Sequence, residues 1–350
     1  MPAKRLDGRD EPILEPEIPI VDSHHHLFDR PELRYLLDEY LADANAGHRI
    51  VASVYLETLA FARQDNREVM RPLGEVEFAN GIAAMSASGR YGDIRVCAGI
   101  VGYADLRHGD AVGDLLDAAM ERAPERFRGV RQVTIEHPGE APFRFMMNRP
   151  EPGILKSAGF PAGLRQLSKR GLSFDACVFH PQLTEIAALA DAFPHLTIVL
   201  NHLGFPIAME LDEQGRAAVF REWSASMRNL ARRPNVVCKI GGLGMPWCGF
   251  KFDERSDPVG YLELSNAWRS CVETAIEFFG ADRCMMESNL PPDGRSCGFV
   301  PLWNAMKHIV RDYTADEKAA LFHRTAIRVY RLRLPERFLR PRRQDATATA

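Results

Sequence analysis

Long apolar runs are missing from this chain. No stretch approaches the roughly 18 residues that a membrane-spanning helix needs, so no membrane partner is expected. The opening residues, MPAKRLDGRDEPILEPE, place charges and prolines where a secretory leader would carry an apolar core. Charge of one sign is lacking too. A formal net charge of −3 excludes the broad basic footprint of a nucleic-acid-binding protein. The seven cysteines form no C-x-x-C pair, and most stand in apolar settings such as FDACVF and VVCKI, as reduced thiols of a cytoplasmic protein do. There is no G-x-S-x-G, no P-loop and no G-x-G-x-x-G opening a helix after the first strand, which removes the serine-hydrolase elbow and the common nucleotide cradles. Internal repeats are absent as well.

What is present is an ordinary globular balance, 46% hydrophobic and 26% charged over 350 residues, sufficient for a large core. Length alone suggests about two domains. The pattern argues otherwise. Apolar, β-branched runs recur at 18–24, 50–56, 94–101, 127–135, 172–179, 197–201, 235–240 and 283–288, with amphipathic helical stretches between them. Eight such alternations predict an α/β fold, a single-domain (β/α)8 TIM barrel over 18–333, with a doubly wound open sheet as the alternative. An N-terminal extension covers 1–17, and a basic, then flexible, tail covers 334–350. Residues 328–343 hold seven Arg against one Glu and read as a solvated final helix with a frayed end.

The chemistry gathers where the strands end. Asp22-Ser23-His24-His25-His26 closes the first run; alternation points His24 and His26 one way and His25 the other. Two imidazoles side by side in a barrel mouth suit a divalent metal or a polarised carbonyl. His180 ends the fifth run in VFHPQ and His202 the sixth in VLNHLG, so four histidines occupy one geometric level. Glu57 follows the second run, Arg131 closes F-R-G-V-R on the fourth, Lys239 lies near the end of the seventh, and Glu287 and Asn289 lie at the end of the eighth.

These residues carry a resemblance. D-S-H-H-H-L-F-D, F-R-G-V-R, H-P-Q, N-H-L-G and M-E-S-N-L-P-P together resemble the amidohydrolase-related family, within it the branch that holds 2-pyrone-4,6-dicarboxylate lactonase and sugar lactonases. The resemblance runs from about residue 18 to 333. It implies that His24, His26, His180 and His202 form the metal or carbonyl-polarising set, with zinc the first metal to consider. The family usually ends strand eight with Gly-Ser-Asp, whose Asp is a metal ligand, a base, or both. Here Glu287-Ser288-Asn289 stands instead. An amide is no base near neutral pH, and the lost charge weakens a dication site, so the metal is in question.

The expected activity is opening of a small, carboxylate-bearing lactone by water. Asn289 orients water or oxyanion, Glu57 or a histidine serves as base, and Arg131 and Lys239 bind the substrate, the Arg131 fork taking its carboxylate. Pairing of Arg131 with Glu57 is the competing reading for both residues. Non-oxidative decarboxylation on the same scaffold and a catalytically silent metabolite-binding barrel are the alternative functions. The stretches 138–153 and 243–260, rich in Phe, Met and Trp, are read as lids over the mouth or as homo-oligomer contacts.

Overall fold

The computed structural model describes residues 11–64 and 67–340. Eight parallel strands follow one another in chain order around one sheet. They are β1 (Ile20–His25), β2 (Ile50–Leu56), β3 (Arg95–Gly102), β4 (Phe127–Val133), β5 (Ser173–Cys177), β6 (Ile198–Leu200), β7 (Val236–Ile240) and β8 (Cys284–Met286). The ring closes just beyond β8, where Leu290 bridges to His25 in parallel and Asn289 N donates to His24 O at 2.9 Å. The predicted (β/α)8 barrel is therefore the fold, and return of the last strand to the first rules out an open sheet. Eight main helices lie outside: α1 (Leu37–Ala44), α2 (Leu73–Ala87), α3 (Gly113–Arg122), α4 (Phe160–Lys169), α5 (Leu183–Ala192), α6 (Glu213–Leu230), α7 (Tyr261–Phe279) and α8 (Phe299–Ile309).

Helices cover the outer face and side chains fill the inside, so a strand such as Ile50-Val-Ala-Ser-Val-Tyr-Leu56 is buried at every position. Inward residues including Val21, Val54, Val101, Val199, Val237 and Met285 form a core of their own, separate from the layer between strands and helices. Tyr330, Leu332 and Phe338 join that inner core and close the barrel at the end where the strands begin. The described part of the C-terminal stretch is thus less solvated than its arginines suggest. Arg331, Arg333 and Arg337 are exposed while the apolar residues among them turn inward, so the boundary expected at 333 falls inside the barrel floor. At the other terminus, Lys307 on α8 donates to Leu14 O and Glu15 O, each at 2.9 Å, which fastens the described part of the N-terminal extension to the barrel. Residues 1–10 and 341–350 lie outside the described residues. All seven cysteines are buried and free, and among the described residues no helix is long and apolar enough to cross a membrane.

Candidate active site

At the end of β1, His24 and His26 point into the mouth with their Nε2 atoms 3.0 Å apart. His25 points outward, stacks on Tyr40 of α1 at 4.2 Å between ring centroids and meets Ser53 Oγ at 2.9 Å. His26 Nδ1 lies 3.0 Å from Leu56 O, which orients its ring. His202 follows β6 with φ +54°, a left-handed conformation that swings its ring over the barrel axis, 4.4 Å from the His24 ring. Glycine makes room for it: a Cβ on Gly242 (φ +68°) would stand 2.6 Å from the His202 ring. Burial holds His24, His26 and His202 well below the usual imidazole range; the Lys239 cation adds to this at His24 and the Arg131 cation at His26 and His202.

Glu287, one residue past β8, is fully buried between these rings. Its Oε1 lies 2.6 Å from His202 Nδ1. Its Oε2 lies 3.1 Å from His24 Nδ1 but outside hydrogen-bond geometry, which leaves a buried acceptor without a partner. Burial pushes Glu287 up to about 8, against the opposing pull of Lys239. Beneath this level sits a second layer. Lys239 Nζ is 3.1 Å from Asp175 Oδ2 and 3.4 Å from His24 Nδ1, and Tyr330 donates its hydroxyl to the same Asp175 oxygen at 2.7 Å.

Above the rings lies a cavity of about 380 Å³. His26, Glu57, Arg131, His202 and Asn289 line its base; Tyr103, Gln132 and Thr58 line one side. Both aromatic insertions contribute to its walls, Phe145, Met146 and Met147 from one and Met245 and Trp247 from the other, and Trp247 Nε1 joins them by donating to Pro142 O at 2.9 Å.

Several expected site residues lie elsewhere or do something else. His180 is not brought to the cluster. β5 ends three residues earlier and the chain enters a 3-10 turn, where His180 Nδ1 accepts the Ile207 amide at 3.2 Å and Nε2 faces Glu222 of α6 at 4.0 Å. It supports the loop after β6 from outside the cavity. His180→Ala is therefore expected to leave kcat within about twofold of wild type, checked by steady-state kinetics; a loss of about a hundredfold or more would return it to the site. Lys239, fully buried and paired with Asp175, is out of a substrate's reach because it stands one layer below the strand ends. Arg131 does line the cavity, but its Nε and Nη2 are held by Glu57 Oε1 and Glu57 O, both at 2.7 Å. Only Nη1 is left, 3.3 Å from His24 Nε2, and one nitrogen is no bidentate fork. Glu57 is correspondingly the partner of a cation. Asp175, Asp293 and Tyr330 were not singled out from sequence, although Asp175 stands alone in the apolar run SFDAC.

Family resemblance raised the question of a metal, and the donors here suit one. His24, His202 and Glu287 each offer a ligand atom within 4.8 Å of the others. Two imidazoles and a carboxylate are a common catalytic zinc set, and the partnerless Glu287 oxygen is the kind of acceptor a cation would satisfy.

Comparisons with known proteins bear on the family and the fold. A family model described as amidohydrolase matches residues 21–332. An uncharacterized protein, y4mH, of Sinorhizobium fredii is 33% identical over 338 residues, covering 90% of this chain and 99% of its own. The L-fucono-1,5-lactonase of Burkholderia multivorans is 26% identical over 331 residues, 90% of this chain and 97% of its own. A crystal structure of an amidohydrolase from Burkholderia multivorans with bound zinc superposes with a TM-score of 0.65 at 24% identity, over 90% of this chain and 99% of that one.

Proposed function

The chain belongs to the amidohydrolase family, and from that premise we propose that it hydrolyses small cyclic esters, opening a lactone ring by attack of water. One observation carries this reading: the His202 imidazole, backed by Glu287 at 2.6 Å, faces a cavity large enough for a single ring. A buried carboxylate on Nδ1 fixes the imidazole and favours proton uptake at Nε2, the arrangement a general base needs. Likeness to a sugar lactonase over nearly the whole chain supports it.

In this mechanism His202 takes a proton from water as its oxygen attacks the ester carbonyl. Arg131, held rigid by Glu57, sets a positive charge beside the developing oxyanion. The ring C–O bond then breaks, and His202 returns the proton to the departing alkoxide. A divalent ion held by His24, His202 and Glu287, zinc by the nature of the donors, would supply Lewis-acid polarisation of the carbonyl and of water. Glu287 meets His202 at Nδ1, so the proton in this mechanism goes to Nε2.

On that assignment, kcat/KM rises with pH and is half-maximal near pH 8. Below about 8 the His202–Glu287 pair carries one proton more, whether on the carboxyl or as imidazolium, and either form leaves Nε2 protonated and unable to act as base. A profile flat between pH 6 and 9 would contradict the assignment.

The lining favours an uncharged, hydroxyl-bearing ring over the carboxylate-bearing one that Arg131 suggested from sequence. Arg131 is paired with Glu57, and Arg107 at the rim is paired with Asp105 and Glu151. A free carboxylate would meet three partnered cations, Arg149 with Glu140 being the third, and two acids, whereas hydroxyls find Thr58, Tyr103, Gln132 and Asn148. Initial rates on paired five- and six-membered lactones with and without a carboxylate test this. Faster opening of the neutral rings is expected; carbon dioxide release from an aromatic acid with no lactone opened would replace hydrolysis by decarboxylation.

A further inference from the structure

Asn289 stands where the family's strand-eight carboxylate is missing, yet a carboxylate is close. Four residues on, Asp293 is almost wholly buried, 1% exposed. Asn289 Nδ2 donates to Asp293 Oδ1 at 2.7 Å, and Gly244 N donates to Asp293 Oδ2 at 3.0 Å. The backbone around them is pinned. Asn289 N donates to His24 O, Asp293 N donates to Asn289 O at 3.0 Å, and Asn289 holds φ +48°, a left-handed conformation that asparagine tolerates. Gly244 is glycine for a reason of space: a Cβ there would come within 2.9 Å of the Asp293 carboxyl carbon.

An ionised carboxylate only accepts hydrogen bonds, so its partner's amide has one orientation available. With Nδ2 committed to Asp293, the other end of the Asn289 amide is its oxygen, and Asn289 lines the cavity. We propose that Asp293 is a positioning residue that holds Asn289 with its oxygen toward the cavity, so that the pair presents a fixed acceptor for the attacking water. The proposal rests on the hydrolytic reading given above. An acceptor at this place takes one hydrogen of the water while His202 takes the other, which aims the oxygen lone pair at the carbonyl. A donor there would instead compete with the carbonyl carbon for that lone pair. Asp293 thereby supplies, one turn further along the chain and through an amide, the acceptor polarity that strand eight gives up.

The test is a polarity swap at constant shape. In Asp293→Asn, Oδ1 of the new amide must accept from Gly244 N, so its Nδ2 faces Asn289. Asn289 then turns to present its oxygen to that group and its own Nδ2 to the cavity. In the double variant Asn289→Asp/Asp293→Asn every hydrogen bond is kept with the 289–293 one reversed, and a carboxylate oxygen faces the cavity. Assays run at pH 8.5, above the value of about 8 to which burial lifts Asp293, with the uncatalysed rate subtracted. The single variant is expected to lose roughly tenfold to a hundredfold in kcat with KM within about twofold, and the double variant to recover most of the loss. A merely structural tie between the two loops would weaken both variants alike or shift KM, since Gly244 adjoins the Met245 and Trp247 wall. Wild-type kcat in Asp293→Asn, or no recovery in the double variant, overturns the proposal.

A second readout does not depend on the reaction. With 15N-labelled asparagine, the Asn289 side-chain NH2 should exchange slowly in the wild type and quickly in Asp293→Asn. If no lactone is opened by the wild type but this contrast is seen, the hydrolytic reading fails while the amide orientation stands. If the contrast is absent, the orientation fails whatever the substrate.

Discussion

Replacing His202 with asparagine is expected to lower kcat/KM for lactone opening by about a thousandfold, within the range that a lost general base removes. Asparagine is the informative substitution because position 202 holds φ +54°, where alanine would add backbone strain to the loss of the ring. The effect should lie in kcat. His202 touches water and the departing oxygen, while the cavity walls that set KM come from Trp247, Tyr103 and the insertion at 145–149. Denaturant unfolding should show the variant folded, so that a dead enzyme is not mistaken for an unfolded one. Retention of more than about a tenth of wild-type kcat/KM would remove His202 from the role of base.

Replacing Asp175 with alanine is expected to lower the unfolding free energy by about 3–5 kcal/mol, the cost of leaving a buried charge without its partner. Asp175 is fully buried and receives Tyr330 Oη at 2.7 Å, Lys239 Nζ at 3.1 Å, Ser173 Oγ at 3.1 Å and Asn201 Nδ2 at 3.2 Å. Its removal leaves the Lys239 ammonium inside the barrel without its carboxylate partner and takes away the acceptor of the Tyr330 hydroxyl. Guanidinium titration reads the loss directly. The double variant Asp175→Ala/Lys239→Met should regain part of it, since an apolar pair is better tolerated than a half-broken ionic one. A single-variant loss under about 1 kcal/mol would mean that water reaches Lys239 and that the floor is not sealed.

Much of this molecule is legible in its sequence because barrel strands are covered on both faces and so appear as short apolar runs. The H-x-H pair follows from alternation within one strand, a local rule. His180 shows where local rules stop. VFHPQ reads as a strand ending in histidine, but β5 ends at Cys177, and the intervening residues turn His180 toward α6. Which residue is last on a strand depends on its pairing with neighbours. Depth along the barrel axis is hidden for the same reason. Lys239 and Arg131 look equivalent as cations on inward-facing strands, yet one lies under the histidines and the other beside them. The floor was masked by composition. Seven arginines dominate residues 328–343, while the residues that fold inward, Tyr330, Leu332 and Phe338, are three apolar side chains scattered among them. The Asn289–Asp293 pair needs a positive φ and the approach of Gly244, neither of which spacing alone reveals.

The central claim is that this barrel opens a neutral lactone with His202 as the proton acceptor. The most direct measurement follows base uptake at constant pH with a neutral sugar lactone, wild type beside His202→Asn, before and after chelation. One proton is expected per ring opened by the wild type, with no carbon dioxide, a slower wild-type rate once chelation removes a bound ion, and a rate near background in the variant. Ring opening no faster than in buffer, or equal rates in the two proteins, would contradict it.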